Sequence, residues 1–507
     1  MEVVMVGVAW AANSLGNYLP LQGNSLNGFI ERCSSQGNNF TADLAARLSP
    51  GAKISFPGEE TFAEATARWS TFAPPNISIN VEVAVEQDVV EVVRFANEHN
   101  KSYLAVNNRH GATNGVGKVK DGIQILMSQL NSVEVAADGQ TATFGGGVLA
   151  KDVTEGLWAK NKQTVTGGCE CVSLVGPGLG GGHGFLQGRH GLVQDQFVSL
   201  NLVTADGKLT KVDQNHELWW AVRGAGHNFG IVTSITSKVY DVVRPKWAYA
   251  SFFYTGDKVE SVYATINEKL LKNNTQEVEI INYSLFINDP TVDAANPIIQ
   301  FFIVQEDTEI VDEKFTAPFT ALGPAVQAAG GGDYRDLPTW TGNAGDQIFC
   351  QKLGLSAFRF PLELQVYDIA AQRKVYDLYN AAMKETPALN GSIALFEGYS
   401  MQGVQAVPAE SSAYPFRESP LLVAPVIFFK EDTPELAQKA EALGTNMREI
   451  LFEASGQPHR RVYVNYALGI EGPEEWYGAE SWRQEKLKTL KKKYDPAGKF
   501  SFYNPIA

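Results

Sequence analysis

The sequence predicts an α+β fold with mixed sheets, because hairpin signals and strand–helix–strand units are interleaved along the chain. Residues 81–85 alternate between apolar and polar as in a half-buried strand, and residues 86–99 carry apolar side chains at helical spacing. Residues 103–106 form a short apolar run that is typical of a buried strand. Asp-Gly pairs, which favour tight hairpin turns, begin at Asp138 and Asp206.

Apolar spacing also predicts elements further along the chain. We expect helices at residues 149–160, 217–223, 435–455 and 483–494, and a strand at 231–239. The last helix is basic and ends before Asp495-Pro496. Its lysines are expected on a solvated face: Lys488, Lys491, Lys492 and Lys493. Glycine-rich motifs stop near residues 243–245, and we place a domain boundary there.

The composition of the chain excludes several classes of protein. It has 507 residues, of which 44% are hydrophobic and 19% charged, as in a globular protein with more than one domain. A formal net charge of −14 repels phosphate backbones, so nucleic acid is not an expected partner. No apolar run of about eighteen residues occurs, so we expect no membrane span. With only 4 cysteines, the fold is not a disulfide-stapled scaffold.

The N-terminus and the sequons bear on the cellular location. Residues 3–12 resemble the apolar core of a short signal peptide, but only Met1-Glu2 precede them, so the usual basic region is missing. These features favour secretion over an intracellular location, and a glycoprotein. Sequons of the form Asn-x-Ser/Thr occur at Asn39, Asn76, Asn100, Asn273, Asn282 and Asn390.

Gly176, Gly178 and Gly181 match the GxGxxG pattern of dinucleotide-binding folds. That pattern should follow a strand and open a helix, whereas each glycine that comes next costs roughly 1 kcal/mol inside a helix. The alternatives are a Rossmann fingerprint, a plain structural turn, and a loop whose bare backbone approaches a cofactor. We favour the cofactor loop, since only glycine permits such close contact.

His110 lies in a turn rich in glycine and asparagine, directly after the strand predicted at residues 103–106. An isolated histidine is more often a surface or core residue than a functional one. Here, however, the backbone amides of the turn can form an anion-binding nest for a pyrophosphate. Arg109 can pair with that phosphate or face solvent. The imidazole is also nucleophilic enough to bond the methyl carbon of a flavin.

Cys169 and Cys171 form a Cys-x-Cys pair in a second glycine-containing turn. The simplest interpretation is two small apolar side chains. A zinc site is disfavoured because no second Cys/His pair has metal-ligand spacing, so no metal is expected. A disulfide between residues two apart would be strained. The functional alternative is a thiolate close to the ring of a cofactor.

Residues 463–466 read Tyr-Val-Asn-Tyr and follow the basic pair Arg460-Arg461. Alternation of tyrosine and valine is usual in a packed strand. A phenol whose pKa is lowered by a cofactor or an arginine can, however, act as a general base. No GxSxG, P-loop or HExxH pattern is present, so hydrolase and kinase functions have no support.

Together, in this order, the motifs resemble the berberine-bridge-enzyme-like branch of the vanillyl-alcohol-oxidase family, particularly its fungal members. The resemblance covers residues 60–245 and 455–507. It rests on His110 in its loop, on Gly168-Cys169 with Val172 and residues 176–184, on residues 217–232, and on residues 463–466 with the closing segment 495–506.

The resemblance implies a division of the chain into segments. Residues 1–60 would be an N-terminal segment with the signal-peptide-like start, and 61–245 a PCMH-type FAD-binding domain of two subdomains. Residues 246–465 would form an α/β substrate domain with an antiparallel sheet, and 466–507 would return to the FAD domain.

The resemblance further implies FAD bonded to His110 and, through a second bond, to Cys169. Tyr466 would take a proton from the substrate, with Asn465 as its hydrogen-bonding support. Further residues expected to contact FAD are Asn107, Asn108, Arg109, Gly111, Ala112, Gly168, Val172, Gly176, Gly180, Gly181, Gly184, Gly230, Ile231, Val232 and Asn504.

The chain departs from the family pattern at two places. Asn108-Arg109 precede His110, where the family usually has two glycines. Ala467 follows Tyr466, where an acidic residue is common, and this weakens any transfer of an acidic role to that position.

The implied function is an FAD-dependent oxidase acting on a small organic molecule. A hydride would leave an alcohol or another activated C–H, a secondary metabolite being favoured, and oxygen would reoxidise the flavin to give hydrogen peroxide. The alternatives are an oligosaccharide or sugar oxidase of the same family, a flavin dehydrogenase with another acceptor, and a non-redox cyclase or isomerase that retains flavin. We expect a monomer.

Overall fold

The computed structural model describes residues 37–272, 274–430 and 433–506. The signal-peptide-like start and the sequon at Asn273 lie outside these residues, as does the side chain of Asn39. Among the other sequons, Asn282 is fully buried in a strand and cannot accept a glycan in the folded chain. The side chains of the remaining sequons are exposed: Asn76, Asn100 and Asn390.

A small, mainly parallel sheet forms the first subdomain. Its elements are α1 (Gly37–Arg47), β1 (Lys53–Ser55), α2 (Glu60–Thr66), β2 (Ile77–Glu82), α3 (Glu86–Glu98), β3 (Tyr103–Val106) and β4 (Gly122–Leu126). The strand order is β1-β2-β4-β3, in which β2, β4 and β3 are parallel and β1 is antiparallel. The apolar stripe of α3 is buried in the same core as the strands, as its periodicity predicts.

An antiparallel sheet of order β5-β6-β10-β8-β9 forms the second subdomain. The elements of this part of the chain are β5 (Val133–Val135), β6 (Thr141–Gly145), α4 (Ala150–Trp158), β7 (Lys162–Gln163), α5 (Val175–Leu179), α6 (Gln187–His190), β8 (Phe197–Val203), β9 (Leu209–Asp213), α7 (Val222–Ala225), β10 (Ile231–Lys238) and β11 (Tyr240–Asp241). Both Asp-Gly pairs connect antiparallel neighbours, β5 with β6 and β8 with β9.

The continuous helix predicted at residues 217–223 is wrong. The structure has a 3₁₀ turn at Glu217–Trp219 and then the short helix α7. Gly224 interrupts the helical backbone with a φ of +120°, and a Cβ at that position would collide with the backbone of Tyr414. The chain therefore turns where a tertiary contact requires glycine, and helical periodicity does not reveal that contact.

The third part of the chain contains an eight-stranded antiparallel sheet of order β15-β12-β14-β13-β18-β19-β16, with β17 beside β19. Its elements are β12 (Lys246–Thr255), α8 (Val259–Lys269), β13 (Ile280–Ile287), β14 (Ile298–Glu306), α9 (Glu313–Thr320), β15 (Val326–Asp333), α10 (Leu337–Trp340), β16 (Ser356–Arg359), β17 (Leu362–Leu364), α11 (Ile369–Glu385), β18 (Ile393–Gly398), α12 (Gln402–Gln405), β19 (Leu421–Phe429) and α13 (Pro434–Ser455).

The two faces of this sheet have different neighbours. Phe252, Phe396 and Ile427 share a buried core with residues of α8, α9, α11 and α13. Residues one position away, such as Leu395 and Glu397, point to the opposite face, because side chains alternate along a strand. That second face is turned towards the two N-terminal sheets.

The C-terminal segment returns to the N-terminal half through α14 (Pro473–Tyr477) and α15 (Ser481–Tyr494). Phe500 lies in the core of the first sheet, with its ring centroid 5.6 Å from that of Tyr103. The expectation that Lys491 is solvated is wrong, because it is buried and its ammonium bonds Asp495 and the carbonyls of Asn228 and Phe500. None of the described helices is long and apolar enough to cross a membrane.

We predict that Lys491→Ala lowers the free energy of unfolding by about 3–5 kcal/mol, because it leaves the buried carboxylate of Asp495 without its cation at 2.6 Å. Urea unfolding measures the change. The exposed Lys488→Ala on the same helix is the matched control and should change it by less than about 0.5 kcal/mol. Equal effects of the two variants would contradict this role of Lys491.

Candidate active site

An elongated groove lies between the N-terminal sheets and the free face of the eight-stranded sheet. Its larger cavity has a volume of about 360 Å³, and an adjoining cavity has about 180 Å³. Both volumes are lined in part by the same residues, so they form one continuous groove: Leu104, Ala105, Val106, Asn107, Ser173, Gly176, His227 and Tyr503. A groove of this form suits a long ligand rather than a compact one.

The turn after β3 carries His110 into the larger cavity, and polar side chains hold it there. Asn107 donates from its amide to the carbonyl of Gly147 at 2.6 Å, and Asn108 donates to that of Cys171 at 2.9 Å. The second bond joins the His110 turn to the turn that contains both cysteines. Arg109 has a φ of +60° and donates to the carbonyl of Ala67.

The imidazole of His110 is fixed from two sides. Its ring stacks on that of Trp69 at a centroid distance of 4.6 Å, and Nε2 lies 2.8 Å from the carbonyl oxygen of Phe349. Because a carbonyl only accepts, Nε2 carries the proton and Nδ1 keeps its lone pair. Burial, reinforced by the cation of Arg359, lowers the pKa of His110 to about 3, so the ring is neutral at physiological pH.

The three described cysteines meet in one cluster. Cys171 forms a disulfide with Cys350, 179 residues away, so the interpretation of Cys171 as an apolar filler is wrong. Cys169 keeps a free thiol, with Sγ 3.4 Å from that of Cys171 and 3.5 Å from that of Cys350. Burial raises the pKa of Cys169 to about 11, so its resting form is a thiol, not the thiolate considered above.

His110, Cys169 and Cys171 offer ligand atoms that all lie within 4.8 Å of one another. Such a set resembles part of a soft-metal site. The disulfide takes Cys171 out of the set, however, because its sulfur is not available as a thiolate. His110 and Cys169 remain as two nucleophilic donors on one side of the cavity.

A loop of the third part of the chain covers these two residues. Glu170 accepts from the backbone of Gly345 and donates its own backbone N–H to the carbonyl of Asn343. The bond from His110 to Phe349 and the disulfide to Cys350 lie in the same loop. Backbone, imidazole and sulfur contacts therefore connect the two halves of the molecule at the groove.

Three of the glycines expected to contact a cofactor do not line the groove. A Cβ would collide with Asn465 at Gly180, with the ring of Tyr414 at Gly181, and with the carbonyl of Thr166 at Gly184. These glycines are required by close packing within the protein. Gly176 alone of the GxGxxG set reaches the groove wall, and it lies on the five-residue helix α5 that no strand precedes, so the Rossmann alternative fails.

Two further expected contacts also lie outside the groove wall. Ala112 packs in a small apolar cluster with Trp69. Asn504 is fully buried and donates to the carbonyl of Val464 at 2.8 Å, so it fastens the C-terminal segment. The structure does place the other expected residues on the wall: Asn107, Asn108, Arg109, His110, Gly111, Gly168, Cys169, Val172, Gly176, Asn465 and Tyr466 in the larger cavity, and Gly230, Ile231 and Val232 in the smaller one.

The opposite wall of the larger cavity consists of inward-facing side chains of the eight-stranded sheet, which sequence reasoning missed. Most of them are apolar, and two are charged: Leu285, Arg359, Ile393, Leu395, Glu397, Val426 and Phe428. A signal was present, because residues 393–398 contain a single carboxylate within an otherwise apolar strand. A buried acid in such a strand indicates a functional group or a partner.

Glu397 is the most unusual of these residues. It is 6% exposed, its Oε1 accepts from the hydroxyl of Tyr399 at 3.0 Å, and Tyr466 lies close enough to lower its pKa. Its Oε2 has no partner within the described protein. Burial raises the pKa of Glu397 to about 7, and the two tyrosines and Arg359 offset only part of that effect.

The two residues expected to act on the substrate lie beside this acid. Burial and the charge of Glu397 raise the pKa of Tyr466 well above its usual value, so its phenol is a proton donor rather than a base. Asn465 donates to the carbonyl of Pro177 at 2.9 Å and to the hydroxyl of Tyr463 at 2.7 Å. Its Oδ1 is buried without a hydrogen-bond partner and lies against Gly180.

Comparisons with known proteins match this architecture. Residues 77–213 match the FAD binding domain family. The FAD-linked oxidoreductase chyH of Penicillium rubens is 49% identical over 92% of this chain and 93% of its own length, and chry5 of Gibberella zeae is 47% identical over 92% and 94%. The chain belongs to the family of FAD-linked oxidoreductases.

Solved structures share the fold of this oxidoreductase at low sequence identity. Physcomitrella patens BBE-like 1 superposes with a TM-score of 0.77 at 18% identity, covering 92% of this chain and 99% of that protein. The xylooligosaccharide oxidase of Myceliophthora thermophila superposes with a TM-score of 0.76 at 17% identity, covering 92% and 98%. These likenesses support the mixed α+β fold.

The groove of the oxidoreductase fits FAD. It is long, and buried polar atoms of residues on its wall lack a protein partner, among them Nδ1 of His227 and Oε2 of Glu397. An unsatisfied buried polar atom is costly, so each of these indicates a ligand that supplies the missing bond. The FAD binding expected from the sequence is confirmed by the family match.

We predict that Cys350→Ser lowers the free energy of unfolding by about 3–5 kcal/mol, since the disulfide to Cys171 closes a loop of 179 residues. Non-reducing digestion and mass spectrometry should find the Cys171–Cys350 peptide in the native protein and lose it in the variant. The matched control is native protein unfolded with reductant, which should lose a similar amount. A native protein without that linked peptide would contradict the assignment.

Proposed function

We propose that this oxidoreductase removes a hydride from a C–H bond of a small, largely apolar organic molecule, with FAD held covalently by His110 and Cys169 and with Glu397 as the base. When bound, FAD supplies the hydride acceptor. The observation that carries the proposal is the partly unpartnered carboxyl of Glu397, which shares one cavity with His110 and Cys169.

The states of His110 and Cys169 support two covalent bonds. The imidazole is neutral, and its bond to Phe349 leaves Nδ1 as the nucleophile. Cys169 is the only free thiol among the described residues, because Cys171 is bonded to Cys350. A ring nitrogen of His110 and Sγ of Cys169 lie within 4.8 Å of each other, so both residues can reach one flavin ring.

Glu397 is better suited than Tyr466 to accept the proton of a substrate O–H or N–H. An acid with a pKa of about 7 is half deprotonated at neutral pH, which is the optimum for a general base. Tyr466 holds its own proton far more tightly and can orient the substrate or the carboxylate by donating a hydrogen bond. Asn465 supports the site through Tyr463 and Pro177.

The cavity wall favours an apolar metabolite over an oligosaccharide. Aliphatic and aromatic side chains form most of the wall that the sheet contributes, including Leu285, Leu395 and Val426. A sugar would need several hydrogen-bonding partners there to replace its water. We propose oxygen as the electron acceptor, so that each turnover releases hydrogen peroxide; turnover only with an added acceptor would favour a dehydrogenase.

We predict that the purified protein is yellow and that the colour stays in the pellet after acid precipitation. Its intact mass should exceed that of the polypeptide by one FAD. His110→Ala and Cys169→Ala should each retain a mass increase through the remaining bond, and the double variant should release its flavin. Colour released from the native protein into the supernatant would contradict covalent attachment while leaving a flavoenzyme.

We predict that Glu397→Gln lowers kcat/KM by about 10²–10⁴-fold, because it removes the base but keeps the shape of the side chain. In the native enzyme kcat/KM should rise about tenfold per pH unit below pH 7 and level off above it, since the deprotonated carboxylate is the active form. Stopped-flow flavin reduction at a series of pH values measures both effects.

The matched controls separate the base from its neighbours. Tyr466→Phe should lower the rate but keep the pH dependence of the native enzyme. The exposed Glu385→Gln should change neither. If Tyr466→Phe abolished the pH dependence and Glu397→Gln retained it, the role of base would belong to Tyr466.

A further inference from the structure

We propose that the substrate carries a carboxylate and that Arg359 binds it. This inference rests on the proposed function and names the class of substrate. Arg359 ends strand β16, is half-buried, and lines the same cavity as His110 and Glu397. Its guanidinium lies 4.5 Å from the ring centroid of Trp69 and 4.9 Å from that of Tyr466.

Arg359 has no hydrogen-bond acceptor among the residues that the structure describes. Among the described residues, no carboxylate forms an ion pair with it and no oxygen accepts from its guanidinium. Two fully buried arginines are paired with carboxylates: Arg417 with Asp195 and Arg448 with Glu471, each at 2.8 Å. A guanidinium offers five N–H donors in a fixed plane, so an unpaired one that faces the substrate cavity can bind an anionic ligand.

Further cations near this cavity are also without acidic partners, although the whole chain has a net charge of −14. Within the described chain, no ion pair involves Arg68, Arg109 or Lys352, and Nη1 of Arg68 is buried without any partner. Burial and the two neighbouring arginines lower the pKa of Lys352 to about 8. A local excess of positive charge attracts anions and excludes cations.

The position of Arg359 indicates that it belongs to the substrate site and not to the phosphate site. Arg109 belongs to the turn in which a pyrophosphate is expected, whereas Arg359 lies on the sheet that also carries Glu397. The positive charge of Arg359 lowers the pKa of Glu397. A planar carboxylate can accept two parallel bonds from a guanidinium, and the rings of Trp69 and Tyr466 hold this one in place.

This arrangement orients the substrate. With its carboxylate at Arg359, an apolar molecule would extend along Leu395 and Val426, and an oxidisable C–H would come near the base. The base at Glu397 and the carboxylate anchor at Arg359, which line the same cavity, would therefore decide together which bond is oxidised. A neutral analogue would lose the anchor while keeping the apolar contacts.

The test is a titration of the yellow holoenzyme with benzoate and with benzamide, followed by the change in flavin absorption. We expect benzoate to bind at least tenfold more tightly than benzamide. Arg359→Gln should weaken benzoate binding by about 10–100-fold and leave benzamide binding unchanged, because a charge-assisted pair is lost. Arg359→Lys should restore part of the affinity, and the exposed Arg335→Gln is the charge-matched control.

The outcomes are distinguishable from failure of the proposed function. Equal affinity of native holoenzyme for benzoate and benzamide, or no spectral response to benzoate, would overturn the carboxylate site while flavin binding stands. Equal benzoate affinity in the native protein and Arg359→Gln would do the same. If Arg359→Gln does not fold, the two native titrations and Arg359→Lys decide the result. A purified protein without flavin would contradict the proposed function as well.

Discussion

The alternation of side chains across the eight-stranded antiparallel sheet is the constraint on which the site depends. In the paired strands β13, β18 and β19, Leu285 lies opposite Leu395, and Leu395 opposite Ala424, so these residues face the cavity together. Shifting the register of β18 by one residue would place Phe396 in the cavity and bury Glu397 against the helices. The apolar core beneath the sheet therefore determines which groups face the cavity.

The two halves of the molecule contribute different chemistry. The N-terminal half supplies nucleophiles on turns, namely His110 and Cys169, and the sheet supplies an acid and a cation, namely Glu397 and Arg359. The covering loop connects them, since Phe349 fixes the tautomer of His110 and Cys350 removes Cys171 from competition with Cys169. The contacts of Phe349 and Cys350 therefore stabilise the fold and also determine which nitrogen of His110 and which cysteine can react.

Local sequence signals predicted the parts of the fold that depend on neighbours in the chain. Helix α3, strand β3 and the Asp-Gly hairpins were predictable, because periodicity and turn chemistry specify them. The His110 turn was predictable for the same reason. The partner of Cys171, the burial of Lys491 and the packing of Gly181 were not, because each depends on residues more than a hundred positions away or on a tertiary fit. Glu397 was predictable only in part. The sequence shows an acid within an apolar strand, but it does not show which residues surround that acid.

The most direct test of this account is a crystal structure of the purified yellow protein. We predict electron density for FAD along the groove, continuous with Nδ1 of His110 and Sγ of Cys169, with the flavin ring between those residues and the face of the sheet that carries Glu397. Continuous density to Cys171 instead of Cys169, or a flavin ring turned away from Glu397, would contradict it.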